Sequence, residues 1–295
     1  MKLHIVKCPG TWILVKLAER MYKAGQEIGL EMSMSHEASP NADVNFYVDL
    51  QNTYFNQKTN KDVALFTHAD KNSSDWLIGL LNSRNGWSLD GIVHMNKRYE
   101  KMSVEVGVDR PMTTIIPGET ANLFPLKKTK IGIVSRGGFP GYGQHFLEEV
   151  FEKIDDNTLK HFKFFFLGDG WREGIEPILQ KKGVEVAFMT DADYSIYPKF
   201  YNTIDYLLIP SLYTAGPMSF QEALASGVPV ISSDVGFCNY EFEADRVYKP
   251  GDVDGLISIL LDIWSKKFAR RKQVEWMSWK NYMTELKQFL KEKVM

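Results

Sequence analysis

The chain has 295 residues, 44% hydrophobic and 24% charged, with a formal net charge of −2. That composition is globular and long enough for two domains, which excludes a disordered or fibrous chain. The near-neutral balance offers no global field to nucleic acid or an anionic membrane, and no run approaches the ~20 apolar residues of a membrane span.

The N-terminus reaches Pro9 before an apolar stretch of signal-peptide length develops. Cys8 and Cys238 share no metal-type spacing and read as reduced thiols of a cytoplasmic protein. Short apolar runs then alternate with amphipathic stretches of helix length, the pattern of a parallel α/β sheet. Leu3–Cys8 reads as a strand, Pro9-Gly10-Thr11 as a turn, and Trp12 to about Ala24 as a helix with Leu14, Leu17, Ala18 and Met21 at the helical period. Strands follow at Val44–Asp49 and Val63–Thr67, with Ser73 or Ser74 capping a helix through Leu81. Gly91–His94 is a strand, Lys97–Val106 a helix and Thr113–Ile116 a strand.

Residues 119–129 read as a linker, with Pro125 ahead of Lys127-Lys128. The second half opens with strand Lys130–Val134 and the turn Arg136-Gly137-Gly138. Helix His145–Ile154, strand Phe162–Leu167, the turn Gly168-Asp169-Gly170 and helix Glu173–Lys182 come next. Strand Val184–Phe188, a helix over Tyr194–Tyr201, strand Tyr206–Ile209, helix Pro217–Ser226 and strand Val228–Ser232 complete the pattern. The expected domains are therefore 1–125 and 126–275, with the last helix, about 276–295, available to pack back on the first.

The most informative stretch is Pro210 to Asp234, PSLYTAGPMSFQEALASGVPVISSD. A buried strand ends at Pro210, a loop carries Gly216, and a helix runs from Pro217 to Gly227, with Pro at its start and Gly past its end. The N-terminus of that helix presents free N–H groups and a partial positive charge, a site suited to a diphosphate. Glu222 follows one to two turns on, where a carboxylate accepts two ribose hydroxyls. A plain strand–helix–strand unit with a solvated glutamate has the same spacing.

This run resembles the signature of retaining, GT-B-type glycosyltransferases of the family-4 kind. The resemblance implies an α/β fold of two Rossmann-like domains facing a cleft, and transfer of a sugar from a nucleotide-diphosphate donor. It implies that Glu222 holds the ribose and that Gly216, Pro217, Met218 and Ser219 hold the donor diphosphate. Thr214 stands where the family carries a first glutamate against the transferred sugar, a departure that bears on donor-sugar identity and on activity. Ile131–Gly138 resembles the first strand of the nucleotide domain, with Arg136 as the diphosphate contact and Gly137 beside it. Where the family continues with Lys-Gly, this chain has Tyr142-Gly143. Gly168 and Gly170 match the turn beside the base, and Tyr248–Asp252 and Met277–Tyr282 match later elements.

The N-terminal half resembles the family weakly. Gly10 falls in a turn where an acceptor approaches, and His68, with Asp70, is similar to a segment that faces the donor sugar. His4, His94 and His161 sit within strand segments and His145 opens a helix, so all four read as structural. Asp191-Ala192-Asp193 imitates a metal-binding Asp-x-Asp, but its place in a late loop favours helix capping. No P-loop, dinucleotide Gly-x-Gly-x-x-Gly or Gly-x-Ser-x-Gly elbow is present.

The reaction implied is metal-independent glycosyl transfer with retention, from a UDP-sugar or GDP-sugar, with no cofactor beyond that donor. Arg136 and the N–H groups of Gly216–Ser219 then stabilise the leaving diphosphate, with Thr214 and His68 near the transferred sugar. The acceptor stays open among a glycan, a lipid-linked sugar and a modified nucleic acid. One alternative is a virus-type enzyme acting on modified DNA bases; another is a catalytically weak nucleotide-sugar-binding protein. Residues 264–282 join six Lys/Arg to five aromatic residues, read either as packed helices with a solvated basic face or as a peripheral membrane contact.

Overall fold

Strands covered on both faces read as continuous apolar runs, and those runs become two parallel sheets. The computed structural model describes residues 1–10, 13–56, 58–67, 89–118 and 124–295. His68, Asp70 and the helix expected through Leu81 lie outside the described residues, as do Thr11, Trp12 and 119–123. The chain divides into two units, Met1–Phe124 with Lys272–Met295, and Pro125–Arg271.

The first unit contains β1 (Lys2–Val6), β2 (Glu31–Ser35), β3 (Val44–Tyr47), β4 (Lys61–Phe66), β5 (Gly91–His94) and β6 (Met112–Thr114). Their order is β2-β1-β3-β4-β5-β6, and every pairing is parallel. Side chains alternate across the pleat: Leu3, Ile5, Phe46 and Leu65 join one buried cluster, while Val6, Tyr47, Ala64 and Phe66 join another. Helix α1 (Ile13–Glu27) covers the first cluster with Leu14, Leu17, Ala18 and Met21, the positions given by its periodicity. Helix α2 (Lys97–Glu105) starts at Asn96, whose side chain accepts from the Tyr99 N–H.

The second unit contains β7 (Thr129–Val134), β8 (Phe162–Leu167), β9 (Glu185–Met189), β10 (Tyr206–Ile209), β11 (Val230–Ser233) and β12 (Arg246–Tyr248). The order is β12-β11-β10-β7-β8-β9, again parallel throughout. This is the doubly wound order of a Rossmann sheet, with its reversal between β7 and β10. Its helices are α3 (Gln144–Lys153), α4 (Asp156–Leu159), α5 (Arg172–Lys181), α6 (Tyr197–Tyr201), α7 (Met218–Ala225) and α8 (Val253–Lys272). Helix α9 (Trp279–Phe289) belongs to the first unit and packs on α1.

Three of the differences from the sequence reading have a plain physical cause. Strand β2, EMSMS, lies at the sheet edge and buries none of its five residues, so no apolar run marks it. Strand β12, at the opposite edge of its own sheet, is only three residues long and buries Tyr248 alone, so it too lacks an apolar run. The helix expected over Tyr194–Tyr201 is split into a 3-10 turn, Tyr194–Ile196, and α6. Pro198 lacks an N–H and suits a first turn, so a new helix begins beside it.

Candidate active site

The floor of the site is built where two turns touch backbone to backbone. Strand β7 runs into Ser135-Arg136-Gly137, and β8 into Gly168-Asp169-Gly170. The Gly137 N–H donates to the Asp169 carbonyl at 2.6 Å. A Cβ on Gly137 would lie 2.6 Å from the Gly170 carbonyl oxygen, and a Cβ on Gly170, at φ +81°, would lie 2.6 Å from that of Gly137. Only glycine allows this approach. Trp171, fully buried, donates from Nε1 to the Ser135 carbonyl at 2.7 Å and holds the first turn against the second. Arg136 is left exposed at the rim, and no carboxylate among the described residues pairs with it.

Strand β10 delivers the opposite wall through the loop to α7. Among the described residues no side chain caps the N-terminus of α7; Pro217 is its N-cap, and the Phe220 N–H turns back to the Pro217 carbonyl at 3.0 Å. The first amides and the positive end of the helix dipole are thereby left to a ligand. Upstream, the Gly216 N–H donates to Thr214 Oγ1 at 3.3 Å. Gly216 packs under the Phe237 ring, where any Cβ would collide. The helix stops at Ser226, and Gly227 follows at φ +67°.

Glu222 sits on α7 with both carboxylate oxygens occupied. The Tyr194 hydroxyl donates to Oε1 at 2.8 Å and the Tyr201 hydroxyl to Oε2 at 2.7 Å. Burial first, and then the carboxylate it serves, push the Tyr201 hydroxyl far above its ordinary pKa. The bond to Glu222 and its charge raise that of Tyr194. Both phenols therefore stay protonated donors at neutral pH.

These walls enclose a cavity of about 720 Å³ at the C-terminal ends of β7, β8 and β10, at the reversal of strand order. Arg136, Gly168, Thr214 and Glu222 line it, together with Gly216, Pro217, Met218 and Ser219. Gly137 and Gly170 stand behind the lining as its support. Gly10, at φ +98°, is in the first unit and has no part in this cavity. Sequence reasoning missed Tyr194, Tyr197 and Asp191 of the lining, and Tyr201 behind Glu222. Nothing at a separation of 28 or 21 residues marks either tyrosine as a partner of Glu222.

Tyr142, in the place of the family's lysine, also lines the cavity, its ring 5.4 Å from Phe139. Asp193 accepts from the Ser195 N–H at 2.8 Å and so caps the turn after it. Among the described residues no group of three or more His, Cys, Asp and Glu is placed to hold a metal ion. Trp279 and Tyr282 are core residues of the first unit, which removes them from any surface that 264–282 presents. No helix among the described residues is long and apolar enough to cross a membrane.

The reversal-point cavity, the paired glycine turns and the open helix N-terminus define a class, the Rossmann-like α/β domain with its ligand crevice above the sheet. Residues 128–266, which lie within the second unit, match the family model described as glycosyl transferases group 1. No protein of curated function matches the sequence. Among solved structures, the chain is similar to sucrose-phosphate synthase from Thermosynechococcus elongatus, at 13% identity over 99% of this chain and 98% of that one, with a TM-score of 0.39. It is also similar to Anabaena HepE in complex with UDP and glucose, at 11% identity over 99% of each chain, TM-score 0.40. The catalytic domain of cholesterol-alpha-glucosyltransferase from Helicobacter pylori is 17% identical over 55% of this chain and 98% of its own, TM-score 0.40. Likeness at this level does not extend to donor, acceptor or mechanism.

Proposed function

We propose that the protein transfers a glycosyl group from a nucleoside diphosphate sugar, UDP- or GDP-linked, to an acceptor, with retention and without a metal ion. One observation carries the reading. In a stretch that matches a glycosyltransferase family, a single cavity is lined by the exposed guanidinium of Arg136, the N-terminus of α7 and the carboxylate of Glu222. Glu222 takes the ribose, and the first amides of α7 and Arg136 take the diphosphate. As the bond from the sugar carbon to the phosphate oxygen breaks, negative charge grows on the departing phosphate. Fixed donors aimed at that charge lower the barrier without a metal ion. The acceptor hydroxyl attacks the same face that the phosphate leaves, and its proton passes to the departing oxygen. His68 and Thr214 belong to the sugar end of this scheme, and Gly10 to the acceptor side.

A melting-temperature panel of UDP, GDP, ADP and their sugars, with and without EDTA, tests the reading on wild type and Glu222→Ala. A ligand at 100 times its dissociation constant adds about 2.7 kcal/mol, readable as a shift. The expected result is a shift with one nucleotide that survives EDTA and disappears in Glu222→Ala. No shift with any nucleotide refutes the donor site. For catalysis, Arg136→Ala is expected to lower kcat by about 10²-fold with a smaller effect on donor KM.

Thr214 and Tyr142, which line the cavity where the resemblance leads one to expect a glutamate and a lysine, support a second reading, donor binding without turnover. Donor binding with no product across an acceptor panel distinguishes it. Contact of the basic part of 264–282 with an anionic membrane is tested by flotation with phosphatidylserine vesicles at low and high salt.

A further inference from the structure

The two tyrosines on Glu222 share a chemistry and differ in everything else. Tyr201 belongs to α6, is 1% exposed, and does not line the cavity. Tyr194 is 65% exposed, lines the cavity, and stands in a 3-10 turn capped by Asp193, its ring 4.8 Å from that of Tyr197. Oε2 is therefore held from the core, and Oε1, the cavity-side oxygen, carries an exposed phenol. No cation among the described residues pairs with Glu222, and the two phenols are its hydrogen-bond donors there.

We propose that Tyr194 is an internal competitor for the ribose subsite, its hydroxyl occupying the Glu222 oxygen that a ribose hydroxyl takes and giving way when a nucleotide binds. The inference rests on the reading of this cavity as the nucleotide site. Tyr201 is the positioning residue that keeps the carboxylate aimed while the exchange occurs. A hydrogen bond to a carboxylate is among the stronger kinds, so surrendering one subtracts from nucleotide affinity. The exposed turn returns the phenol to Oε1 as the nucleotide departs, which favours release of the spent donor. A nucleotide lacking the hydroxyl that claims Oε1 leaves Tyr194 in place and incurs no such loss.

The test is calorimetric titration of the full chain with whichever of UDP, GDP and ADP binds, and with its 2′-deoxy and 3′-deoxy forms. Wild type, Tyr194→Phe and Tyr201→Phe are compared, with melting temperatures of the unliganded proteins as the check on folding. Tyr194→Phe is expected to bind the ribonucleotide about threefold to tenfold tighter while one deoxy form binds as before, so the ratio between them rises. Tyr201→Phe is expected to bind the ribonucleotide more weakly, with that ratio falling, which loss of packing alone would not produce. If Tyr201→Phe does not fold, the Tyr194→Phe ratio decides. Unchanged or weaker ribonucleotide binding by Tyr194→Phe, or equal tightening of all three ligands, overturns the competitor and leaves the donor site standing. Failure of wild type to bind any nucleotide overturns both together.

Discussion

His94 closes β5 with its ring fully buried, and neither ring nitrogen finds a hydrogen-bond partner among the described residues. Its ring instead lies edge-on to Phe66 at 5.2 Å. Burial pushes its pKa down to about 4 from the ordinary 6.5, and the nearby Glu100 carboxylate, which pulls upward, does not offset this. The folded form holds the imidazole neutral while the unfolded chain takes up a proton below pH 6.5. Stability is thus complete above about pH 6.5 and falls as the pH drops toward 4, by about 3 kcal/mol in all. Urea midpoints at pH 7 and pH 4.5 are expected to differ less in His94→Leu than in wild type. Part of the acid slope remains in that variant, since burial also lowers the pKa of His4. Equal slopes in the two proteins refute this account of His94.

At the scale of elements, the two glycine turns set the shape of the site more than any side chain does. Gly170→Ala places a Cβ against the Gly137 carbonyl at a φ of +81°, at a cost of about 2–4 kcal/mol. Separation of the turns displaces Arg136, so the variant is expected to lose nucleotide-dependent stabilisation along with melting temperature. A variant that melts lower yet keeps the full nucleotide shift refutes the coupling. These turns were legible because glycine repeated after a buried strand has few other uses. Helix α7 and Glu222 were legible from Pro–Gly punctuation and the position of the carboxylate. The tyrosines were not, because a hydroxyl that meets Glu222 from a turn 28 residues upstream obeys no helical or strand period. Strand β2 escaped for a related reason: an edge strand can pair its backbone without burying side chains, and EMSMS carries no apolar run. Boundaries shifted by a residue or two wherever a strand's first residue is polar, as at Lys2 and Lys61.

For the molecule as a whole, the first unit depends on residues far along the chain. Trp279, Tyr282, Met283, Leu286, Phe289, Leu290 and Val294 all belong to the buried cluster formed with β1, β3 and α1. Each such side chain contributes roughly 1.5–3 kcal/mol on burial, and together they are comparable to the whole ~5–15 kcal/mol by which a domain is stable. Deletion of 273–295 is therefore expected to unfold the first unit while 125–271 still melts cooperatively. Two-transition calorimetry of the intact chain against one transition in the deletion checks this; retention of both transitions refutes it.

That dependence has a counterpart during synthesis. A chain emerges from the ribosome in one direction, and domains generally fold as they are completed. Here residues 125–271 are released before α9 exists to cover α1. The portion translated first must wait, with Leu14, Leu17 and Met21 uncovered, while the portion translated second already has all its parts. The nascent chain thus finishes its later half before its earlier one, and the waiting half is where a holding chaperone would find apolar surface.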